Sequence, residues 1–342
     1  MNRALVDRIV NAVLYEGYVL YPYRPAVKNQ QRWTFGSLFP RAYCEANGGE
    51  SSRMQTECIV CGDENTTLHA NVRFLHLIDR VIDVVEPSGE IGGRFGRVES
   101  VRVGDCLCPS WQEAVERDAI LPPLRLGNQA IQSAFTFAAS SHVEPIQDSN
   151  TVARIERIQH TLTLAVHVSA QREAAGLFRI TVQVENQTAI ESVAISRTQA
   201  LLRSLASMHA FLGVEQGEFI SLVDPPEEAR SLAKRCTNIG VWPVLVGEPG
   251  QRDTMLASPI ILYDYPQIAA ESPGNLFDGT EIDEILSLRI LTLSDDEKRQ
   301  AANLDERVRA LLTRTDSLDR KQLIGLHGTM RPLSQTPVEG QA

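Results

Sequence analysis

Near the start of the chain Leu5, Ile9, Ala12 and Val13, flanked by Val6, Val10 and Leu14, form a wide apolar stripe at helical spacing, which predicts a helix over 4–16. Gly17 is a natural stop for it. Pro22 and Pro25 then bracket Tyr23 and Arg24, so 18–25 reads as extended and turn-rich. From about Trp33 to Pro109 short apolar stretches are separated by turn residues. Residues 67–77 read as a strand, Gly62-Asp63-Glu64-Asn65 as a hairpin turn before it, and the four glycines of 89–96 as a further turn.

The clearest period of two lies further on. Over 155–168 one face carries Ile155, Arg157, Gln159, Thr161, Thr163, Ala165 and His167, and the other Ile158, Leu162, Leu164, Val166 and Val168, as in a half-buried strand. In 177–185 Phe178, Ile180, Val182 and Val184 alternate with Arg179, Thr181, Gln183 and Glu185, and the short link at 173–176 makes the two runs an antiparallel pair. After Ser196, Ala200, Leu201, Leu205 and Met208 fall at helical spacing. Phe219 to Val223 reads as a short strand ended by Asp224-Pro225-Pro226, Glu227 to Cys236 as a helix, and Val241 to Val246 and Ile260 to Tyr263 as strands. From Thr280 the pattern is helical, with Ile282, Ile285, Leu286 and Leu288 on one face and Ser294 capping a following helix. The expected fold is α+β: a helical segment over 1–20, an antiparallel sheet-rich body over 21–195 with a sandwich as one arrangement, a mixed to helical part over 196–330, and a disordered polar tail over 331–342.

Composition narrows the class. The 342 residues, 43% hydrophobic and 22% charged, are ordinary for a globular protein and long enough for about two domains. Lys and Arg number 33 against 43 Asp and Glu, a net charge of −10, which is not the basic field that nucleic acid or an anionic membrane requires. No apolar run approaches the ~18 residues of a membrane span. Met1 to Asp7 lack the apolar stretch of a secretory signal, so a cytoplasmic location with reduced thiols is expected.

Candidate chemistry is sparse. Cys58-Ile59-Val60-Cys61 has metal-ligand spacing, and Cys106 and Cys108 would complete four thiolates for a tetrahedral zinc site, although the second pair is one residue short of the usual gap. Structural thiols are the simpler reading, with no cofactor required. The seven histidines include no His-Glu-x-x-His arrangement, and neither a Gly-x-Ser-x-Gly elbow nor a phosphate-binding loop occurs. A Ser-His-Asp set assembled only in space stays open. Tyr21, Tyr23, Arg24, Lys28, Arg32 and Trp33 place aromatics and cations together, as partner-binding surfaces do. Residues 271–284 gather five carboxylates, three of which fall where the first turn of a helix favours acids.

Several segments together carry a resemblance: 14–18 with Tyr21-Pro22-Tyr23-Arg24-Pro25, Gln31-Arg32-Trp33-Thr34-Phe35-Gly36, Phe219 to Pro226, Trp242-Pro243-Val244-Leu245-Val246-Gly247, Ser258 to Asp264 and Thr280 to Leu286. Over residues 14 to about 315 the chain resembles an uncharacterised family encoded beside actinobacterial-type nickel-iron hydrogenases. The resemblance implies a non-catalytic, cytoplasmic accessory protein that binds a hydrogenase subunit or maturation protein, and it transfers no catalytic residue. The alternative is a metal-binding protein or metal-dependent enzyme built on Cys58, Cys61, Cys106 and Cys108.

Overall fold

The computed structural model describes residues 36–85, 95–104, 106–127, 129–148 and 151–266, with separate positions within 7–14 and 290–317. Its spine is β1, Arg53–Val85, a single strand of 33 residues. A strand this long persists because both its edges take partners in relay. Along one edge lie β11 (Leu177–Asn186), β6 (Leu124–Arg125), β5 (Trp111–Ile120) and β2 (Phe95–Val98). Along the other lie β12 (Leu205–Ile220) and then β9 (Val152–Gln159). Beyond these, β10 (Leu162–Ala174) and β7 (Gln129–Phe137) extend from β11, β14 (Thr254–Ser258) and β13 (Trp242–Leu245) from β12, and β8 (Ser140–Gln147) from β9. The result is one antiparallel 12-stranded sheet, while β3 (Ser100–Val103) and β4 (Cys106–Pro109) make a separate ribbon.

Alternation along β1 builds two cores. Met54, Cys58, Val60, Leu68, Val72 and Phe74 face the inward rows of β10, β11 and β12 in the larger core. Phe74, in the far half of β1, meets Phe137 at the end of β7 edge-on at 5.4 Å, so the sheet curls until its ends enclose this core. On the opposite face Leu75, Leu77, Phe211 and Leu256 pack with Tyr43 of α1 (Arg41–Asn47), with Ala200 and Leu201 of α2 (Arg197–Leu201), and with Ile9, Ile290 and Leu312. A third helix, α3 (Glu227–Ala233), covers Ile59 and Ile220.

Two irregularities shape the spine. Residues 62–65 do not reverse the chain as a hairpin. They form a bulge between Gly62 and Thr67, after which β1 continues beside β12. Thr66 fills it, its Oγ1 accepting from the Asp63 amide (3.0 Å) and donating to the Gln216 carbonyl (2.6 Å) in space that a Cβ on Gly62 or Gly217 would occupy. The second register shift lies between Arg73 and Leu75, opposite Ser207, whose φ is 49°. It turns the Met208 N–H towards the Gly36 carbonyl at 3.0 Å, while Leu38 and Leu205 exchange two backbone hydrogen bonds. Buried Asn186 ties the same segment down: its Nδ2 donates to the Leu38 and Arg203 carbonyls, and its Oδ1 accepts from the Thr188 amide.

Gly36 itself has φ +57°, and a Cβ there would lie 2.5 Å from Pro259 Cβ. Gly36→Ala is therefore expected to lower stability by about 2 kcal/mol in urea unfolding, from left-handed strain plus overlap with a proline ring. A loss under about 0.5 kcal/mol would show that the segment shifts freely.

The fold corrects the α+β expectation. Among the described residues 57% are strand and 13% helix, so the body is a curled antiparallel sheet that includes much of the part expected to be mixed or helical, and it is not a two-sheet sandwich. Leu205 and Met208 begin β12, whose first ten residues are all buried. A strand covered on both faces shows no alternation, and its apolar residues fall at helical spacing by chance. The run 155–168 is likewise two strands, because β9 ends at Gln159 and β10 starts at Leu162 with different partners. Residues 260–263 are not a strand, and β14 precedes them. Asp7 and Ile9 are helical, as are Ile290, Leu291 and the helical positions described up to Asp316. Apart from these and Leu14, Ser294 and Ser317, residues 1–20 and 280–317, and the tail 331–342, lie outside the described residues. Among the described residues no helix is long and apolar enough to cross a membrane.

Candidate functional site

The partner-binding candidates Tyr21, Tyr23, Arg24, Lys28, Arg32 and Trp33 lie outside the described residues, as does the acidic run 271–284. Cys58, Cys61 and Cys108 do not gather into a metal-ligating group. Cys58 and Cys61 stand three apart on β1, so they point to opposite faces, the first buried and the second exposed. Cys108 lies on β4, two residues from Ser110, whose hydroxyl accepts from the Ile82 amide at the far end of β1. Cys106 is on the same ribbon. Among the described residues no group of three metal-ligating side chains gathers. Burial raises the Cys58 thiol well above its ordinary range and pushes Cys236 up to about 11, so both are protonated at neutral pH.

A serine and a histidine do meet in space. His209 donates from Nδ1 to the Ser207 carbonyl at 2.9 Å, leaving Nε2 to face Ser258 Oγ at 3.3 Å. Burial and nearby Arg73 hold the ring near pKa 4, and it stays neutral at pH 7. Ser258 Oγ also accepts from the Ile260 amide, and both side chains are wholly buried. The pair therefore ties β14 to the β12 bulge inside the core. His76 is similar: it is buried, and its Nε2 donates to the His160 carbonyl at 2.8 Å.

Three segments far apart in the chain, 219–226, 242–247 and 258–264, converge on Asp264. Its carboxylate accepts from Ser221 Oγ at 2.5 Å and from the Leu245 amide at 2.8 Å, and the Leu245 carbonyl accepts from Tyr265 N. Ser221 Oγ in turn accepts from the amides of Val223 and Asp224, which turns the chain sharply after β12. This knot fixes a corner whose apolar side chains face outward: Val223 is 62% exposed, Ile261 76% and Tyr263 84%, with Leu262 buried between the last two. Trp242, paired with Ser258 on edge strand β13, is also exposed. Spacing gave no sign of the Ser221–Asp264 contact, since 43 residues separate the two.

Beside this corner a hollow of about 340 Å³ opens where 36–38 joins β12. Leu38, Met54, Met208 and Val241 form its buried floor, and Glu50, Arg53 and Arg197 stand at its rim. Pro259, against which Gly36 packs, links hollow and corner. No family model matches the chain, and no curated protein matches it either.

Proposed function

We propose that this chain is a binding protein that holds a nickel-iron hydrogenase subunit or a maturation protein during assembly. The observation that carries the reading is the corner at Asp264. A hydrogen-bonded knot of Ser221, Leu245 and Asp264 holds Val223, Ile261 and Tyr263 outward, and two of these three flank Leu262, which is the internal anchor. Rigidly presented aromatic and aliphatic groups supply contact area at little entropic cost, which is what the centre of an interface needs. The corner is built from segments that carry the resemblance, and that resemblance supplies the partner.

The test is co-elution of the purified chain with purified hydrogenase subunits and maturation proteins, followed by titration of whichever associates. Ile261→Ser with Tyr263→Ser, both exposed, should leave the unfolding midpoint in place and weaken the complex by about 2 kcal/mol, roughly thirtyfold in Kd. Absence of a complex with every hydrogenase component would sink the partner assignment. A complex indifferent to both substitutions would remove the corner from it.

A further inference from the structure

The hollow beside the corner has a charge pattern of its own. Its two rim guanidiniums are in unlike states. Arg197 donates from Nε to Glu50 Oε1 at 2.6 Å and lies over the Phe39 ring, so its charge is compensated. Arg53 forms no ion pair and no side-chain hydrogen bond among the described residues. The carboxylate directly across the strand from it, Glu185, lies 3.5 Å from Arg41 instead. One arginine without a charge partner among the described residues therefore lines the same hollow as the buried Leu38, Met54, Met208 and Val241.

We infer that this hollow binds a monocarboxylate with a compact apolar body, its carboxylate on Arg53 and its hydrocarbon part on Met54, Met208 and Leu38. The volume, about 340 Å³, lies within the range of small-ligand pockets. A guanidinium fork matches a carboxylate in a two-point contact. The two thioethers adapt to aliphatic or aromatic bodies alike. The charge count sets the ligand's valence: Glu50 shares the rim, so a second negative charge on the ligand would meet repulsion, and among the described lining residues the other cation, Arg197, is already paired with Glu50. This binding does not depend on the partner proposal, because it needs only the chain by itself.

The full chain titrated with hexanoate, hexanamide and hexyl phosphate, by calorimetry and ligand-observed NMR, tests the inference. Hexanoate is expected to bind with a Kd of about a millimolar or tighter, and hexanamide at least about tenfold more weakly. Hexyl phosphate should not bind more tightly than hexanoate at pH 7.5. Arg53→Gln should weaken hexanoate at least about tenfold, whereas Arg125→Gln, an exposed arginine on β6, should leave it unchanged. The inference is overturned by no hexanoate binding at about 10 mM, by equal affinity for acid and amide, by preference for the phosphate, or by indifference to Arg53→Gln. None of these outcomes bears on whether Tyr263 touches a protein partner.

Discussion

Lowering the pH from 7.5 to 5 is expected to lower the stability of the chain by about 4 kcal/mol, with most of the loss assigned to two buried histidines. His76 and His209 are both held near pKa 4, against an ordinary value of 6.5. For each ring burial is the main cause, and a neighbouring arginine adds to it, Arg117 for His76 and Arg73 for His209. The hydrogen bonding agrees. In each ring one nitrogen donates to a backbone carbonyl, and a second proton on His76 would sit on Nδ1, which has no acceptor. The unfolded chain therefore binds protons that the folded chain refuses. Stability is fully present above pH 6.5 and falls as pH drops towards 4, each ring contributing about 2 kcal/mol by pH 5. His160 is lowered as well and adds in the same sense, while Asp79 and Glu116, raised by burial, oppose it. Urea unfolding at stepped pH reads the slope, and His209→Gln should reduce it by close to one proton whatever it does to the absolute value. A stability flat from pH 7.5 to 5, or a slope unaltered by the substitution, would contradict the assignment.

These histidines also show what a sequence reading reaches. That β10 and β11 form a hairpin was plain, since each has one face in the core and one in solvent, so Leu162 to Val168 and Phe178 to Val184 keep a visible period of two. Helix α3 was equally plain, because Asp224-Pro225-Pro226 marks its entry. What failed was whatever depends on partners. β12 is covered on both faces, so Leu205 and Met208 gave no period, and the helix before it ends at Leu201. A signal there went unread: Ser196 and Gln199 form a capping box that fixes the start of α2, and such a box says nothing about length. The break between β9 and β10 does leave a trace, since buried residues are odd-numbered at Ala153 and Ile155 and even-numbered from Leu162 on. The continuity of β1 through 62–65 depends on Thr66 reaching Gln216, 150 positions away, which no local pattern records. The same holds for the corner. Its segments were noticed separately, but only folding brings Ser221 to Asp264, and only the structure shows Tyr263 facing outward.

Replacing Glu113 by glutamine is expected to destabilise the chain by about 3 kcal/mol, well beyond what an exposed ion pair contributes. In the far half of the sheet Arg80 of β1 and Arg157 of β9 are direct cross-strand partners, two like charges in register, an arrangement that is destabilising unless something stands between them. Glu113, on β5 at the other edge of β1, does so. Its Oε2 accepts from Arg157 Nε at 2.9 Å, and its Oε1 lies 3.6 Å from an Arg80 guanidinium nitrogen. The Arg80 side chain is only 6% exposed, so its charge is poorly solvated and this carboxylate is one of the groups that offset it. Glu144 of β8 holds the outer end of Arg157 at 2.8 Å, and that contact, with a smaller pull from Arg80, keeps its carboxyl below the usual range, but it is 47% exposed. Glu144→Gln should therefore cost less than about 1 kcal/mol. Because Arg157 leans on both Glu113 and Glu144 and opposes Arg80, the double variant Glu113→Gln with Arg157→Gln should recover part of what Glu113→Gln loses, and a double-mutant cycle in urea reads that coupling directly. Equal costs for Glu113→Gln and Glu144→Gln, or a double variant weaker than the sum of its parts, would mean that the row of charges contributes no more than surface decoration. A marked difference would instead show that Glu113, set between two opposed guanidiniums, helps to hold the far half of the long spine strand.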